Sequence, residues 1–448
     1  MNGTPRGSGS LPRPWNGLSA VALAQAYSVS VFATGPVTAT LVVMLLTPVG
    51  QGFYYTFGSL VAALALFEFG SGAALSQLLG AGKDGPPSAR YGLKAVYSAG
   101  LLWNRSAVAA FIVVGSVGGS WLLVQSAESG GPVLFPWFGF LVLSAAQGLL
   151  APKFAVLQAN QELARYWLNR VAFHWIYSVA LWVSLTSGFG LWSLVAAASA
   201  GLVWSSAFLA VNRRFLALSG TADSAVIPRW KVFRSRLWPL QWRLGVGWFS
   251  VTFALAWLTP IAMFHSGALA AAQMGLTAVL ALVIFAFGTN WLGPDEPHFA
   301  RLVASGDTVE FDREYRARFV KALAATAALA GLAITGIALA RWIFPSMVNR
   351  VLPPGDSAVL LLGVLTVVAI RNLGTYCRAH CTDPTAVPLA VGSLGALSCA
   401  GLLGGRGTIW IASGYCVGMT CIALPFALRG FLALWRVKPE IGGYEAAA

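Results

Sequence analysis

Six ionisable residues of this 448-residue chain stand within or at the end of long apolar runs, where they could act on a ligand away from bulk water: Glu68, Arg105, His174, Arg243, Arg371 and Arg378. A charge inside a membrane-spanning segment is costly and is a functional candidate by default. Glu68 falls about 17 residues into its run, roughly 25 Å along a helix. A carboxylate there could exchange a proton or bind Na⁺, or could hydrogen-bond a neighbouring helix packed closely at Gly70 and Gly72. Arg371 and Arg378 are seven residues apart, on one helical face and roughly 10 Å from each other. Guanidinium groups bind phosphate oxygens through paired hydrogen bonds, so this pair could hold a diphosphate; the other reading is snorkelling to the headgroups, above all for Arg378. Arg105 and Arg243 begin apolar runs and could serve as entry-side charges. His174 could face a cavity or make a packed hydrogen bond.

No catalytic constellation emerges. Asp295 and Glu296 are followed by Asp307, Glu310, Asp312 and Glu314 among Arg313, Arg316 and Arg318, a mixture that reads as a solvated helix with pairs one turn apart. The chain has no Walker A lysine motif, dinucleotide fingerprint or HExxH. Cys377, Cys381, Cys399, Cys416 and Cys421 form no CxxC pair and read as small core residues. Neither a metal nor a cofactor is expected, and the chain does not read as an enzyme.

The elements that must position these residues follow from composition. Hydrophobic residues make up 57% of the chain and charged ones only 10%, with a mean hydropathy of +0.71. Such a chain cannot cover itself with a water-compatible surface. It is an all-α polytopic membrane protein by this reading, with about a dozen spans of roughly 20 residues. The spans run near Leu18–Leu46, Gly52–Leu79, Ala107–Val124, Phe135–Leu157, Val171–Leu185 and Leu191–Leu209, then Val246–Phe264, Ala268–Leu292, Phe319–Phe344, Ser357–Tyr376, Val387–Leu403 and Thr408–Leu432. Pro36, Pro260 and Pro425 lie inside spans, where neighbouring helices can satisfy the freed carbonyl. With both termini cytoplasmic, all but Arg341, Arg350 and Arg406 of the 29 lysines and arginines lie at the cytoplasmic end, as the positive-inside rule requires. The net charge of +14 thus encodes topology and implies no nucleic-acid partner.

The two halves of the chain resemble each other weakly, the other reading being a chance match of two Ala/Leu/Phe-rich spans. GSLVAALALFEFG (Gly58–Gly70) aligns without gaps with LTAVLALVIFAFG (Leu276–Gly288), 218 residues later. Each stretch is the second span of six, so the repeat is parallel, with a pseudo-two-fold axis along the membrane normal. The expected division is a cytoplasmic tail (1–17), a six-helix lobe (18–218), a basic linker (219–243), a second six-helix lobe (244–436) and a cytoplasmic tail (437–448). Within the linker, RWKVFRSRLWPLQWR (Arg229–Arg243) interleaves basic residues with Trp230, Phe233, Leu237 and Leu240, an interfacial helix for anionic lipid headgroups.

LTPVGQGFYYTFGSLVAALALFEFG (Leu46–Gly70) resembles the signature of bacterial Wzx-type polysaccharide flippases, the O-antigen transporters of the MOP superfamily that also contains the MATE exporters. WPLQWRLGVGWFS (Trp238–Ser250), AAQMGLT (Ala271–Thr277), PHFARLVASGD (Pro297–Asp307) and GTYCRAHCTDP (Gly374–Pro384) resemble the same group in the same order. The sequence departs from the group after Ala379–His380, where Cys381-Thr382-Asp383 replaces a more basic or polar text.

The resemblance implies two six-helix lobes in the bacterial inner membrane. It also implies alternating-access flipping of an isoprenoid-diphosphate-linked oligosaccharide to the outer leaflet for surface polysaccharide such as lipopolysaccharide. The expected partners are that substrate, anionic lipids, an H⁺ or Na⁺ coupling ion, and the polymerase and chain-length proteins of the same process. Arg371, Arg378, Arg105, Arg243 and His174 are then the cavity candidates and Glu68 the ion-coupling candidate. Two alternatives stay open: a cation-coupled drug or metabolite exporter of the same superfamily, and a membrane-embedded polysaccharide polymerase or glycosyltransferase. The longest outer connection, Ala340–Asp356, is short and carries two arginines, which disfavours the enzyme.

Overall fold

The computed structural model describes residues 20–84, 93–126, 133–216, 229–292, 295–380 and 382–436. Both expected tails and the linker as far as residue 228 lie outside them, as does Cys381. The described residues are helical, with no strand among them. Helix α1 is Ala20–Leu45, α2 is Pro48–Glu68 and α3 is Ser71–Asp84. Then follow α4 (Leu93–Ser126), α5 (Leu134–Ala159), α6 (Leu163–Thr186) and α7 (Trp192–Val211). The second half comprises α8 (Trp238–Thr289), the short α9 (Glu296–Ala304), α10 (Thr308–Ile343), α11 (Pro354–Ala379), α12 (Ala386–Leu403) and α13 (Thr408–Trp435).

Among the described residues, ten helices are long and apolar enough to cross a membrane. Two further crossings complete the dozen. Helix α6 is 24 residues long but carries Arg165, Arg170 and His174 in its first half, which lowers its hydropathy. Helix α8, 52 residues, is broken at Gly267, whose φ of 79° and ψ of −173° are open to glycine alone. Its two arms run in opposite directions: Gly245 lies against Phe69 at one end of α2, and Ala268 against Gly52 at the other. The return arm then descends beside α11, where Asn372 Nδ2 donates to the Gly288 carbonyl oxygen at 3.3 Å.

This places Gly58–Gly70 in α2 and Leu276–Gly288 in the return arm of α8, both leading toward the end of the bundle that carries α3, α9 and the start of α8. The halves are therefore two six-helix lobes in parallel repeat about a pseudo-two-fold axis along the membrane normal. The end holding Arg229, Lys231, Arg234 and Arg236, all exposed, is the basic face.

Two boundaries differ from the sequence reading. The second span, expected to run unbroken to Leu79, stops at Glu68, because Phe69 (φ 46°) and Gly70 (φ 75°) adopt left-handed backbone. The basic segment beginning at Arg229 is continuous with α8. It runs through a π-turn at Phe233–Leu237 straight into α8, burying Val232, Phe233 and Leu237 against α3, α4 and α5 and leaving Trp230 exposed.

Each lobe has its own core. Residues of α8 and α10–α13 pack around Leu258, Leu361, Val364 and Tyr415, and those of α2 and α4–α7 around Phe57, Phe111, Trp137 and Leu141. Met263, Ala268 and Ala271, at the bend of α8, belong to the second of these cores, so the hairpin ties the lobes together. Apolar lipid gives helices little hydrophobic reason to associate, and close packing of small residues takes its place. A Cβ at Gly414 would sit 2.5 Å from the Ala400 backbone nitrogen, and one at Gly418 2.5 Å from Ala396. Gly414→Ala should therefore cost about 1–3 kcal/mol by overpacking. Gly331→Ala, with nothing within 4 Å of the new methyl, should be neutral or stabilising by about 0.5–1 kcal/mol. Thermal unfolding of the two variants in detergent checks the contrast.

Candidate functional site: a polar cavity in the first lobe

The break after Glu68 builds a site. A helix end leaves backbone carbonyls without intrahelical partners. Here the Glu68 carbonyl accepts from Trp103 Nε1 at 3.1 Å and from the fully buried Gln241 Nε2 at 3.2 Å. Phe69 turns away to stack on Trp238, ring centres 6.3 Å apart. The Glu68 side chain is thereby directed into a cavity of about 670 Å³ between α2, α3, α5 and α6. Gly148 makes room for it, since a Cβ there would lie 3.4 Å from Glu68 Oε1.

The other polar lining groups are only partly satisfied. Gln147 donates from Nε2 to the buried Ser205 Oγ at 3.1 Å, which fixes its amide so that the buried Oε1 is left without a partner among the described residues. Asn169 is 3% exposed, and its Oδ1 is likewise unpartnered. Arg170 donates from Nη2 to the Tyr27 hydroxyl at 3.0 Å, while its buried Nε has no partner. Buried polar groups are ordinarily hydrogen-bonded, so such a cluster is prepared for a polar ligand or water. Aromatic walls from Tyr166, Phe173 and Tyr177 complete it.

The opposite face of α2 is different in kind. An apolar groove of about 610 Å³ runs between α2, α4 and α8, lined by Leu60, Phe67, Phe111, Trp121, Trp257 and Phe264. One helix thus separates a polar cavity from an apolar groove.

The six residues singled out in the sequence are dispersed. Glu68 lines the polar cavity. His174 does not; its Nε2 is 2.7 Å from Thr34 Oγ1, one rung of a polar seam between α1 and α6 that also pairs Trp175 with Ser30 and Trp182 with Thr38. Arg105 is exposed on α4. The Arg243 side chain lies outside the described residues. In the second lobe, Arg371 is half-buried on α11 with no hydrogen bond among the described residues, whereas Arg378 is fully engaged. It pairs with Glu296, donates to Thr375 Oγ1 at 3.0 Å and approaches Asp383 at 3.5 Å. The mixed charges nearby pair locally, Arg318 with Glu314 at 3.0 Å and with Asp295. His380, at the end of α11, has its pKa pushed below the ordinary histidine range by burial, partly opposed by Asp312.

Arg170, Asn169 and Gln147 were missed because a basic residue near a span end reads as topology and an amide carries no charge. Their spacing held the available signal: Asn169, Arg170 and His174 fall within about a turn of one another in a membrane helix.

This architecture has solved counterparts. An inward-facing multidrug resistance MATE family transporter of the MOP superfamily is 15% identical, with 94% of this chain and 100% of that chain superposed at a TM-score of 0.61. Lipid II flippase MurJ, in an inward closed conformation, is 11% identical over 92% of this chain and 87% of its own, also at 0.61. A eukaryotic MATE transporter is 14% identical over 94% and 96%, at 0.59. At these identities the likeness is one of fold, and this chain has the two-lobed fold of MOP-superfamily transporters. No protein-family model matches the chain, and no curated protein matches it in sequence.

The two arginines of α11 should separate on mutation. Arg378→Ala leaves the Glu296 carboxylate with Thr375 but without its ion-pair partner and is expected to cost about 1–2 kcal/mol, discounted for partial exposure, with the loss reduced when Glu296→Gln is added. Arg371→Ala should leave the unfolding midpoint near that of the parent. Thermal unfolding in detergent reads both.

Proposed function

We propose that the chain is a flippase that moves a lipid-linked oligosaccharide, carried on an isoprenoid diphosphate, from the cytoplasmic to the outer leaflet of a bacterial inner membrane by alternating access. The observation that carries this reading is the pairing across α2 of an apolar groove with a cavity of similar size that holds the buried polar groups of Gln147, Asn169 and Arg170 beside Glu68. An amphipathic lipid needs both environments, and a soluble solute needs only one. The acceptors Gln147 Oε1, Asn169 Oδ1 and the Glu68 carboxylate suit the hydroxyl groups of a glycan. The uncommitted guanidinium of Arg371 suits a phosphate oxygen, and Glu68 suits a coupling proton or Na⁺. In this reading the basic face is cytoplasmic, and its exposed tryptophans and arginines rest on anionic headgroups. A polymerase and chain-length proteins would take the delivered product.

A second reading is export of organic cations. It is favoured by the Glu68 carboxylate, which has no ion-pair partner among the described residues, and by the aromatic lining of the apolar groove.

Depleting the protein should accumulate lipid-linked glycan on the cytoplasmic leaflet. Under the second reading, depletion would instead sensitise cells to cationic drugs and leave the glycan distribution unchanged. Arg371→Ala should lower translocation about tenfold or more, the equivalent of one charge-assisted contact, with membrane insertion intact. Normal surface polysaccharide in that variant rejects the role. Glu68→Gln should abolish dependence on an ion gradient, and a variant that keeps both activity and gradient dependence excludes Glu68 as the coupling site.

A further inference from the structure

At the end of the bundle opposite the basic face, α2 crosses the return arm of α8 with the backbones nearly in contact. A methyl at Gly52 would lie 1.9 Å from the Ala268 carbonyl oxygen, and one at Gly275 would lie 2.4 Å from Tyr55 Cβ. Gln51 is fully buried at this crossing. Its Nε2 donates to the Ala272 carbonyl at 3.2 Å and to the Arg350 carbonyl at 3.0 Å. Arg350, in the connection between α10 and α11, answers across the same interface: Nη1 donates to Gln51 Oε1 at 3.1 Å and to the Leu46 carbonyl at 2.7 Å. Leu46 follows the last residue of α1, where helix carbonyls lack partners and the dipole favours a cation. The connection that carries Arg350 is itself anchored to its own lobe, by Arg341 Nη1 on the Val351 carbonyl at 2.7 Å and by the Leu352 amide on Thr277 Oγ1 at 3.2 Å.

We propose that Gln51 and Arg350 form a latch between the lobes that holds this face of the bundle shut, and that its release opens the face. The chemistry is that of a releasable contact. The seam beneath it is built on small residues, Gly52 against Ala268 with Ala271 and Ala272 beside them, and Tyr55 on Gly275. The four hydrogen bonds that span it all belong to groups that water satisfies once they part. Anchored loop, guanidinium and buried amide act as one unit, because removing either side chain leaves the other with an unmet hydrogen-bonding group. The transporter reading supplies the purpose of opening, whereas the latch itself rests on these contacts.

The test uses the full chain in lipid nanodiscs with Ala271→Cys, a position fully buried in the seam, as reporter for a membrane-impermeant maleimide. The same chain without the reporter gives the background from native cysteines. Arg350→Ala and Gln51→Ala should each raise the modification rate about tenfold or more, and Arg350→Lys, which keeps the charge but loses the fork, should fall between. A second reporter, Ala396→Cys, buried in the other lobe, should stay unreactive throughout. Modification of Ala271→Cys at the parent rate in both latch variants overturns the proposal, as does an equal rise at both reporters, which marks general loosening. The readout involves no translocation, so failure of the flippase reading leaves it unaffected.

Discussion

Everything in this molecule is arranged around α2 lying against both arms of α8. In lipid, helices gain little from hiding apolar surface from one another, so two six-helix lobes adhere only where backbones can approach closely. Glycine supplies that approach at both ends of α2: Gly52 under Ala268 at one end, Gly70 against Gly245 at the other. The bend at Gly267 returns α8 so that a single chain segment belongs to both cores. Were α8 a straight rod, its 52 residues would extend roughly 78 Å, more than twice the hydrocarbon thickness.

The same contact lies beside the cavity. Gly245 meets Phe69 and Gly70 backbone to backbone where α2 ends at Glu68. The break leaves a carbonyl that Trp103 and Gln241 must satisfy. Gln241 comes from the second half, so the carboxylate in the first-lobe cavity is placed partly by the other lobe.

Charge is sorted by the same logic. On the basic face, ions pair with one another in a half-wet setting: Arg378 with Glu296, Arg318 with Glu314 and Asp295. At the opposite end three arginines meet backbone carbonyls or an aromatic face. Arg350 caps α1, Arg341 holds Val351, and Arg406 lies 5.4 Å from the centre of the Trp410 ring. Helix termini and ring faces serve there as negative partners.

Composition, apolar run length and the distribution of lysine and arginine determined, without coordinates, that this is a helical membrane protein of about twelve crossings in two parallel halves. These are one-dimensional properties, because the bilayer imposes length and polarity on each segment separately. Even the division of α8 near Gly267 is visible as an interruption between two apolar runs. What the sequence could not determine is which polar side chains meet. The fate of Arg378 depends on α9 delivering Glu296, 82 residues away. The role of Arg350 depends on Gln51, 299 residues away. The membership of Arg170 and Asn169 in one cavity with Glu68 depends on the packing of α2 against α5 and α6. Helical periodicity fixes the face on which a residue stands, but only the crossing of helices distant in sequence fixes what that face meets.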